Sequence, residues 1–217
     1  MNKWEKTLLI SAFLALTLPA SPALSSEMVE IPSGEFVMGD DNDSYSTPQH
    51  LMPLDSYWVD TYEVTNDEFA KQFPLHSFWK DSGSHPATDI TWQEAQSYCV
   101  KIGNRLPTEE EWEKAARGKD VRLYPWGNKP LRKKAHPFYS GLIKRRVGLN
   151  KKDVSPYGVR DMAGSVWEWT VSEIEGKKIT HGGLWNFHLE YEFSKTFDRN
   201  LVTPAKRLPF IGFRCAR

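Results

Sequence analysis

Apolar and polar positions along this chain follow two periods, and the change from one to the other lays out its elements. Met28 to Asp40, MVEIPSGEFVMGD, alternates with period two around Ser33-Gly34 and predicts a hairpin. Asp41 to Gln49 is polar and turn-rich, a loop. Tyr57 to Val64 predicts a strand that runs into a capping box, Thr65 with Glu68, and a short helix carrying Phe69 and Phe73 on one side. Gly83 to Ile90 reads as a loop and an extended piece. The next stretch, Thr91 to Gly118, predicts two linked helices. Thr91 with Glu94 and Thr108 with Glu111 repeat the capping-box spacing, in which the threonine oxygen and the glutamate carboxylate satisfy orphan N–H groups of a first turn. Gly103 and Gly118 suit the left-handed residue that closes a helix, and Pro107 keeps Arg105 and Leu106 extended between the two. Trp92, Ala95, Cys99 and Ile102 recur at helical spacing, which puts Cys99 on a core face. After Gly118 the pattern becomes irregular.

Residues 1–26 read as an export leader: Lys3 and Lys6, an apolar run from Leu8 to Leu18, then a tract rich in small residues from Pro19 to Ser26. Cleavage after Ser25 fits best, and cleavage after Ala23 or Ser26 is compatible. The run is short for a membrane span. An uncleaved N-terminal anchor is the alternative. The rest, residues 27–217, is about 190 residues, enough for one domain with a sizeable core. No other long apolar run occurs, so no membrane span is expected once the leader is removed. Lysine plus arginine equal aspartate plus glutamate at 28 each, which gives no reason to expect nucleic acid. The basic segment Lys129 to Arg146 reads as a solvated loop, with an anionic partner as the minority reading. Two cysteines, Cys99 and Cys215, invite pairing in an exported protein. Two buried thiols are the alternative.

The run from Arg105 to Glu113, RLPTEEEWE, followed by Ala116-Arg117-Gly118, resembles the signature of the formylglycine-generating-enzyme-like (sulfatase-modifying factor) superfamily. Tyr124 to Asn128, Tyr157 to Thr170 (YGVRDMAGSVWEWT), Gly182-Gly183-Leu184-Trp185 and Gly212 to Cys215 are similar to further motifs of that family. The resemblance implies an α+β, irregular, C-type-lectin-like fold with little regular secondary structure. Nine tryptophans suit such a domain, because large aromatic side chains bury much area where long helices and strands are few. The resemblance also implies that Cys99 and Cys215 pair with each other.

It further implies one calcium site, at Asp161, Gly164, Val166 and Glu168. Two carboxylates and two carbonyls from one turn are hard oxygen ligands suited to Ca²⁺, with water completing the shell. The same acids capping the turn without metal are the alternative. In formylglycine-generating enzymes two cysteines just beyond the Gly-Gly turn bind copper. Here those positions read Phe187 and Glu192, and neither side chain replaces a thiolate for Cu(I), so no copper is expected. Another metal set, His181, His188, Glu190 and Glu192, is conceivable, although such residues are more often solvated.

Three functions follow from the resemblance. The first is an exported member without formylglycine chemistry that binds a peptide or protein partner in the old substrate groove, with Trp167, Trp185, Asn186, His188 and Arg199 as groove residues. The second is a periplasmic oxidoreductase with non-cysteine chemistry, like the pyoverdine-maturation members, with Glu192 as a weak candidate base. The third is a structural subunit of a periplasmic redox complex. All three place the protein in the periplasm or outside the cell.

Overall fold

The computed structural model describes residues 27–43, 46–130, 146–183 and 194–217. Within them the strands are β1 Met28–Ile31, β2 Gly34–Met38, β3 His50–Leu54, β4 Tyr57–Asp60, β5 Trp167–Ile174, β6 Lys177–His181, β7 Arg199–Val202 and β8 Ile211–Gly212, and the helices are α1 Asn66–Gln72, α2 Trp92–Lys101 and α3 Glu109–Arg117. This is an α+β domain in which short elements are joined by long irregular stretches. No helix among the described residues is long and apolar enough to cross a membrane.

All three helices start where the capping boxes put them. Thr65, Thr91 and Thr108 each accept a hydrogen bond from the amide three residues on, and Glu68, Glu94 and Glu111 each accept one from the threonine amide. Such a cap stabilises a helix by about 1 kcal/mol, which matters most for helices this short. Gly103 and Gly118 take φ of 82° and 72°, the left-handed values expected where each helix closes.

The N-terminal strands correct the sequence reading. β1 and β2 flank Ser33-Gly34 but do not pair with each other; β1 pairs with β4 and β2 with β3, both antiparallel. Alternation fixes which face each strand buries but not its neighbour, and the later strands compete successfully for both. The strand expected over Tyr57 to Val64 ends at Asp60. Beyond it the chain keeps the same neighbours by single bonds: Thr61 N–H donates to Glu27 O, just before β1, at 2.8 Å, and Val64 N–H donates to Phe213 O at 2.9 Å, following Asp60 N–H to Cys215 O.

The second half is built on a four-stranded sheet of order β7-β6-β5-β8, with β8 parallel to β5 and the other pairs antiparallel. Side chains alternate along β5, so Trp167 and Trp169 enter one apolar cluster with Phe69, Ala95, Tyr98, Cys99 and Phe213. Glu168 points to the opposite face, toward α3. A second cluster lies on that side, formed by Ile31, Tyr57, Val59, Trp112, Ala115, Ala116, Val159 and Met162.

Cys99 and Cys215 form a disulfide with Cα atoms 5.7 Å apart, joining α2 to the segment after β8 across 116 positions of sequence. Around it the C-terminal segment is sewn in by its backbone. Ala216 bridges both Val59 and Arg105, and Arg217 N–H donates to Trp58 O at 2.9 Å.

Candidate functional site

The face of β5 turned toward α3 carries a buried charge centre. Glu168 and Arg214 are both fully buried, and the guanidinium grips the carboxylate at two points, Nε to Oε2 at 2.6 Å and Nη2 to Oε1 at 2.7 Å. Trp112 Nε1 donates a third bond to Glu168 Oε2 at 2.8 Å. The remaining N–H groups of Arg214 reach main-chain carbonyls, Nη1 those of Asp60 and Thr61 and Nη2 that of Arg160. Burial alone would lower the Arg214 pKa, but the carboxylate of Glu168 holds it above the ordinary value.

Three more buried acids surround this pair: Glu63 before α1, and Asp153 and Asp161 in the loop before β5. Asp161 sits at φ 58°, a left-handed conformation that aspartate tolerates better than most residues. Its Oδ2 accepts from Gly148 N–H, while its own amide donates to Asp153 O at 3.3 Å. Asp153 Oδ2 accepts from Ala163 N–H at 2.9 Å, which braces the turn. Oδ1 of Asp153 and Oδ1 of Asp161 are buried with no hydrogen-bond donor, while the Ser165 hydroxyl acts on the buried carboxyl of Glu63.

The electrostatics follow from this crowding. Burial, reinforced by Asp161 and Glu168, pushes the Glu63 carboxyl well above the usual carboxylate range. Burial and then Asp161 push Asp153 up to about 8. Asp161 rises to about 6, chiefly through burial, with the Gly148 amide, Arg214 and Arg160 restraining the rise.

Unpartnered buried carboxylate oxygens fit a hard cation, and two of the four residues expected to hold calcium, Gly164 and Val166, lie in the same turn. The fit is uneven across the expected set. Asp161 has an oxygen to give, whereas both oxygens of Glu168 already accept from Arg214 or Trp112. Among the described residues no three acidic, histidine or cysteine side chains converge closely enough to hold a metal by themselves, so main-chain carbonyls are needed in any such shell. Sequence reasoning missed Glu63 and Asp153. The signal for Glu63 was present: Tyr57, Val59, Thr61 and Glu63 alternate along one run and all are buried, so a carboxylate falls in an inward-facing register.

A row of side chains continues across the sheet. His181 lies opposite Glu168 in the β5–β6 register and opposite Arg199 in the β6–β7 register, so all three share one face. The His181 ring stacks on Trp112 with centroids 5.0 Å apart, and its Nε2 lies 3.6 Å from Glu109 Oε1. Arg199 Nη1 reaches the same oxygen at 3.1 Å. Trp167 belongs to the opposite face and is buried in the apolar cluster, so the described residues do not bring Trp167 and Arg199 together. The other expected groove residues, Trp185, Asn186 and His188, lie outside the described residues. So do Phe187, Glu190 and Glu192.

An open cleft of about 690 Å³ lies elsewhere, between the stretch after α1 and the approach to β8. Asn66, His76, Phe78, Trp79, Asp81 and Pro209 line it. Asn66 holds its floor, its Nδ2 donating to Ser82 O at 2.9 Å while its Oδ1 lies 3.1 Å from His76 Nε2. Trp79, which lines the cleft, is 87% exposed, and Leu75 on the same loop is 98% exposed. Nothing in the sequence pattern pointed to this cleft, because exposed aromatic residues in a loop read like any other loop composition.

The short-element α+β architecture of this domain, with α2 tied by a disulfide to the segment after β8, is that of the C-type-lectin-like fold of formylglycine-generating-enzyme-like proteins. The chain is a member of the sulfatase-modifying factor enzyme 1-like domain family, whose sequence model matches residues 16–217. It is 28% identical over 290 aligned positions to the formylglycine-generating enzyme of Mus musculus, covering 93% of this chain and 77% of that protein. It is 33% identical over 152 positions to the inactive C-alpha-formylglycine-generating enzyme 2 of Bos taurus, covering 60% of this chain and 50% of the relative. Among solved structures, Treponema denticola variable protein 1 superposes with a TM-score of 0.76 at 20% identity, covering 87% of this chain and 94% of that one. PvdO from Pseudomonas aeruginosa superposes at 0.73 with 21% identity, covering 88% and 94%.

Proposed function

We propose that this chain is an exported, partner-binding member of the family in which copper-dependent formylglycine formation does not run. One observation carries the reading: the chain has two cysteines, and both are consumed in the Cys99–Cys215 disulfide. A Cu(I) site needs soft sulfur ligands, and Phe187 and Glu192 occupy the positions where the family's active members hold them. The binding role draws support from the cleft, whose exposed Trp79 and Phe78 are the kind of side chains that anchor protein and peptide partners. Trp185, Asn186 and His188 remain proposed binding residues from the family resemblance alone, since they lie outside the described residues. Trp167 and Arg199 contribute to it less than their sequence positions suggest, because one is buried and the other is tied to Glu109.

The test is incubation of a Cys-x-Pro-x-Arg peptide with the purified protein and copper, followed by mass spectrometry. The cysteine is expected to stay intact. Copper-dependent conversion of that cysteine to the aldehyde overturns the proposal.

The same reading includes one divalent cation in the turn before β5, calcium by the hardness of its donors, supported by the unpartnered oxygen of Asp161. Melting temperature measured in excess calcium and in chelator tests it, since a ligand bound only by the folded state raises stability. Equal melting temperatures remove the cation from the proposal.

A further inference from the structure

The loop that follows α1, from Phe73 to Lys80, is braced from within. His76 N–H donates to Phe73 O at 2.9 Å and Ser82 N–H to Trp79 O at 3.1 Å. On the inner side Phe69 stacks on Phe73 with centroids 4.6 Å apart and meets the His76 ring edge-on at 4.9 Å, while His76 Nε2 lies 3.1 Å from Asn66 Oδ1. Those contacts fill the inward space. Leu75 and Trp79 are left outside at 98% and 87% exposure, with Phe78 at 38%. Single exposed apolar residues are ordinary on a protein surface, but three within five positions of one braced loop form a patch.

Phe78 and Trp79 line the cleft, but Leu75 does not, so the patch extends past it. A peptide groove buries its anchors between walls, whereas a side chain as bare as Leu75 has no wall beside it. It suits a soft apolar phase such as the boundary of headgroups and acyl chains in a bilayer, where leucine and tryptophan insert and lysines stay with the headgroups. The charge around the patch selects the kind of bilayer. From Phe69 to Thr88 the chain carries two lysines, Lys71 before the loop and Lys80 at its end, and one acid, Asp81. Lys101 of α2 joins them, its Nζ 4.1 Å above the Phe73 ring and 3.2 Å from Gln72 O. All three lysines are exposed, and among the described residues none of them forms an ion pair.

We propose that this loop docks the protein on an anionic lipid surface, with Leu75 and Trp79 entering the bilayer interface and Lys71, Lys80 and Lys101 resting on the headgroup charge. The inference goes beyond the peptide-binding reading and does not depend on it. Burial of the two apolar side chains and attraction of the three lysines act together, and only the second is screened by salt. Because the loop is already braced, little conformational freedom is lost when it inserts.

The experiment is co-sedimentation of the mature protein, disulfide intact, with vesicles of phosphatidylcholine alone and of phosphatidylcholine carrying about 30% phosphatidylglycerol. A parallel set with brominated acyl chains quenches any tryptophan that reaches them. Wild type is expected to bind the anionic vesicles at least about 10-fold more strongly than the neutral ones, less so as salt rises, and to show quenching. Trp79→Phe is expected to remove the quenching. Leu75→Ser with Trp79→Ser is expected to lower partitioning by about 10-fold or more at an unchanged melting temperature, since both side chains are exposed. Lys71→Gln with Lys80→Gln is expected to lower it on the order of fivefold per lysine. The proposal is overturned if wild type does not bind anionic vesicles, if neutral vesicles bind it equally, or if the Leu75 and Trp79 variants keep binding and quenching. Capture of a peptide in solution by a wild type that ignores vesicles assigns the loop to a peptide partner instead.

Discussion

Arg214 and Glu168 face each other as fork to fork, two bonds of 2.6 and 2.7 Å between side chains with no solvent exposure. Every other N–H of that guanidinium except those in the pair reaches a carbonyl of residues 60, 61 or 160, so one side chain fastens β5, the end of β4 and the loop before β5 together. Removing one partner of such a pair leaves a buried charge without compensation. Arg214→Gln is expected to lower stability by about 3 to 5 kcal/mol in urea denaturation. Arg214→Lys is expected to recover little, because an ammonium offers a point charge where two parallel bonds are required.

The disulfide closes a separation of 116 positions. In the chain-entropy model a loop of this length adds up to about 4 to 5 kcal/mol, with strain and residual structure reducing it. Cys99→Ser is expected to lower stability by a few kcal/mol, about 2 to 4 at 25 °C, and Cys215→Ser by a similar amount, since either removes the same closure. Denaturant titration of the oxidised wild type beside both variants checks this, and a wild-type protein that denatures with two titratable thiols contradicts the bond itself.

Stability at acid pH follows Glu109. Burial raises its pKa, but His181 and Arg199 outweigh burial, and the net shift is downward. A group whose folded pKa is depressed contributes stability above its unfolded value and loses it as pH falls through the folded one. Arg199→Gln removes one of the two lowering influences. The variant is expected to lose about 1 to 3 kcal/mol at neutral pH. Its deficit relative to wild type shrinks as pH falls from about 5 to about 3, because protonated Glu109 no longer gains from Arg199. Paired melting curves over that range provide the measurement.

Gly39 carries the last prediction. It sits at φ 81°, and a Cβ there would lie 2.3 Å from Thr47 O, a backbone atom that cannot yield. Its amide donates to Glu113 Oε1 at 2.8 Å and its carbonyl accepts from Arg117 Nη1 at 2.6 Å, so displacement also disturbs a buried ion pair. Gly39→Ala is expected to cost about 2 to 4 kcal/mol, read as a fall in melting temperature.

Local chemistry was legible in the sequence and partner choice was not. Thr65, Thr91 and Thr108 announced their helices because a capping box is settled within four residues, and Gly103 and Gly118 announced where α2 and α3 close because backbone sterics are local. The hairpin expected around Ser33-Gly34 failed because pairing is decided by distant strands: β4 and β3 take the partners that β1 and β2 were expected to be for each other. The family motifs identified the fold and the turn at Asp161 but not Glu63, which enters that centre from nearly a hundred residues earlier. Trp167 looked like a groove residue by motif and proved to be core, since its face of β5 is set by the alternation that turns Glu168 toward Trp112.

The stitching of residues 211–217 into the domain has a consequence for the order of events during synthesis. β8, the Arg214 anchor, Cys215 and the Ala216 bridges to Val59 and Arg105 all come from the last-made stretch of the described chain. Until that stretch has emerged from the ribosome, Trp167, Phe69 and Tyr98 lack Phe213 as a packing partner and Glu168 lacks Arg214 as its counter-ion. The helices capped earlier must then wait with their apolar faces uncovered, a nascent state dominated by non-local closure that exposes the chain to chaperones before it can fold.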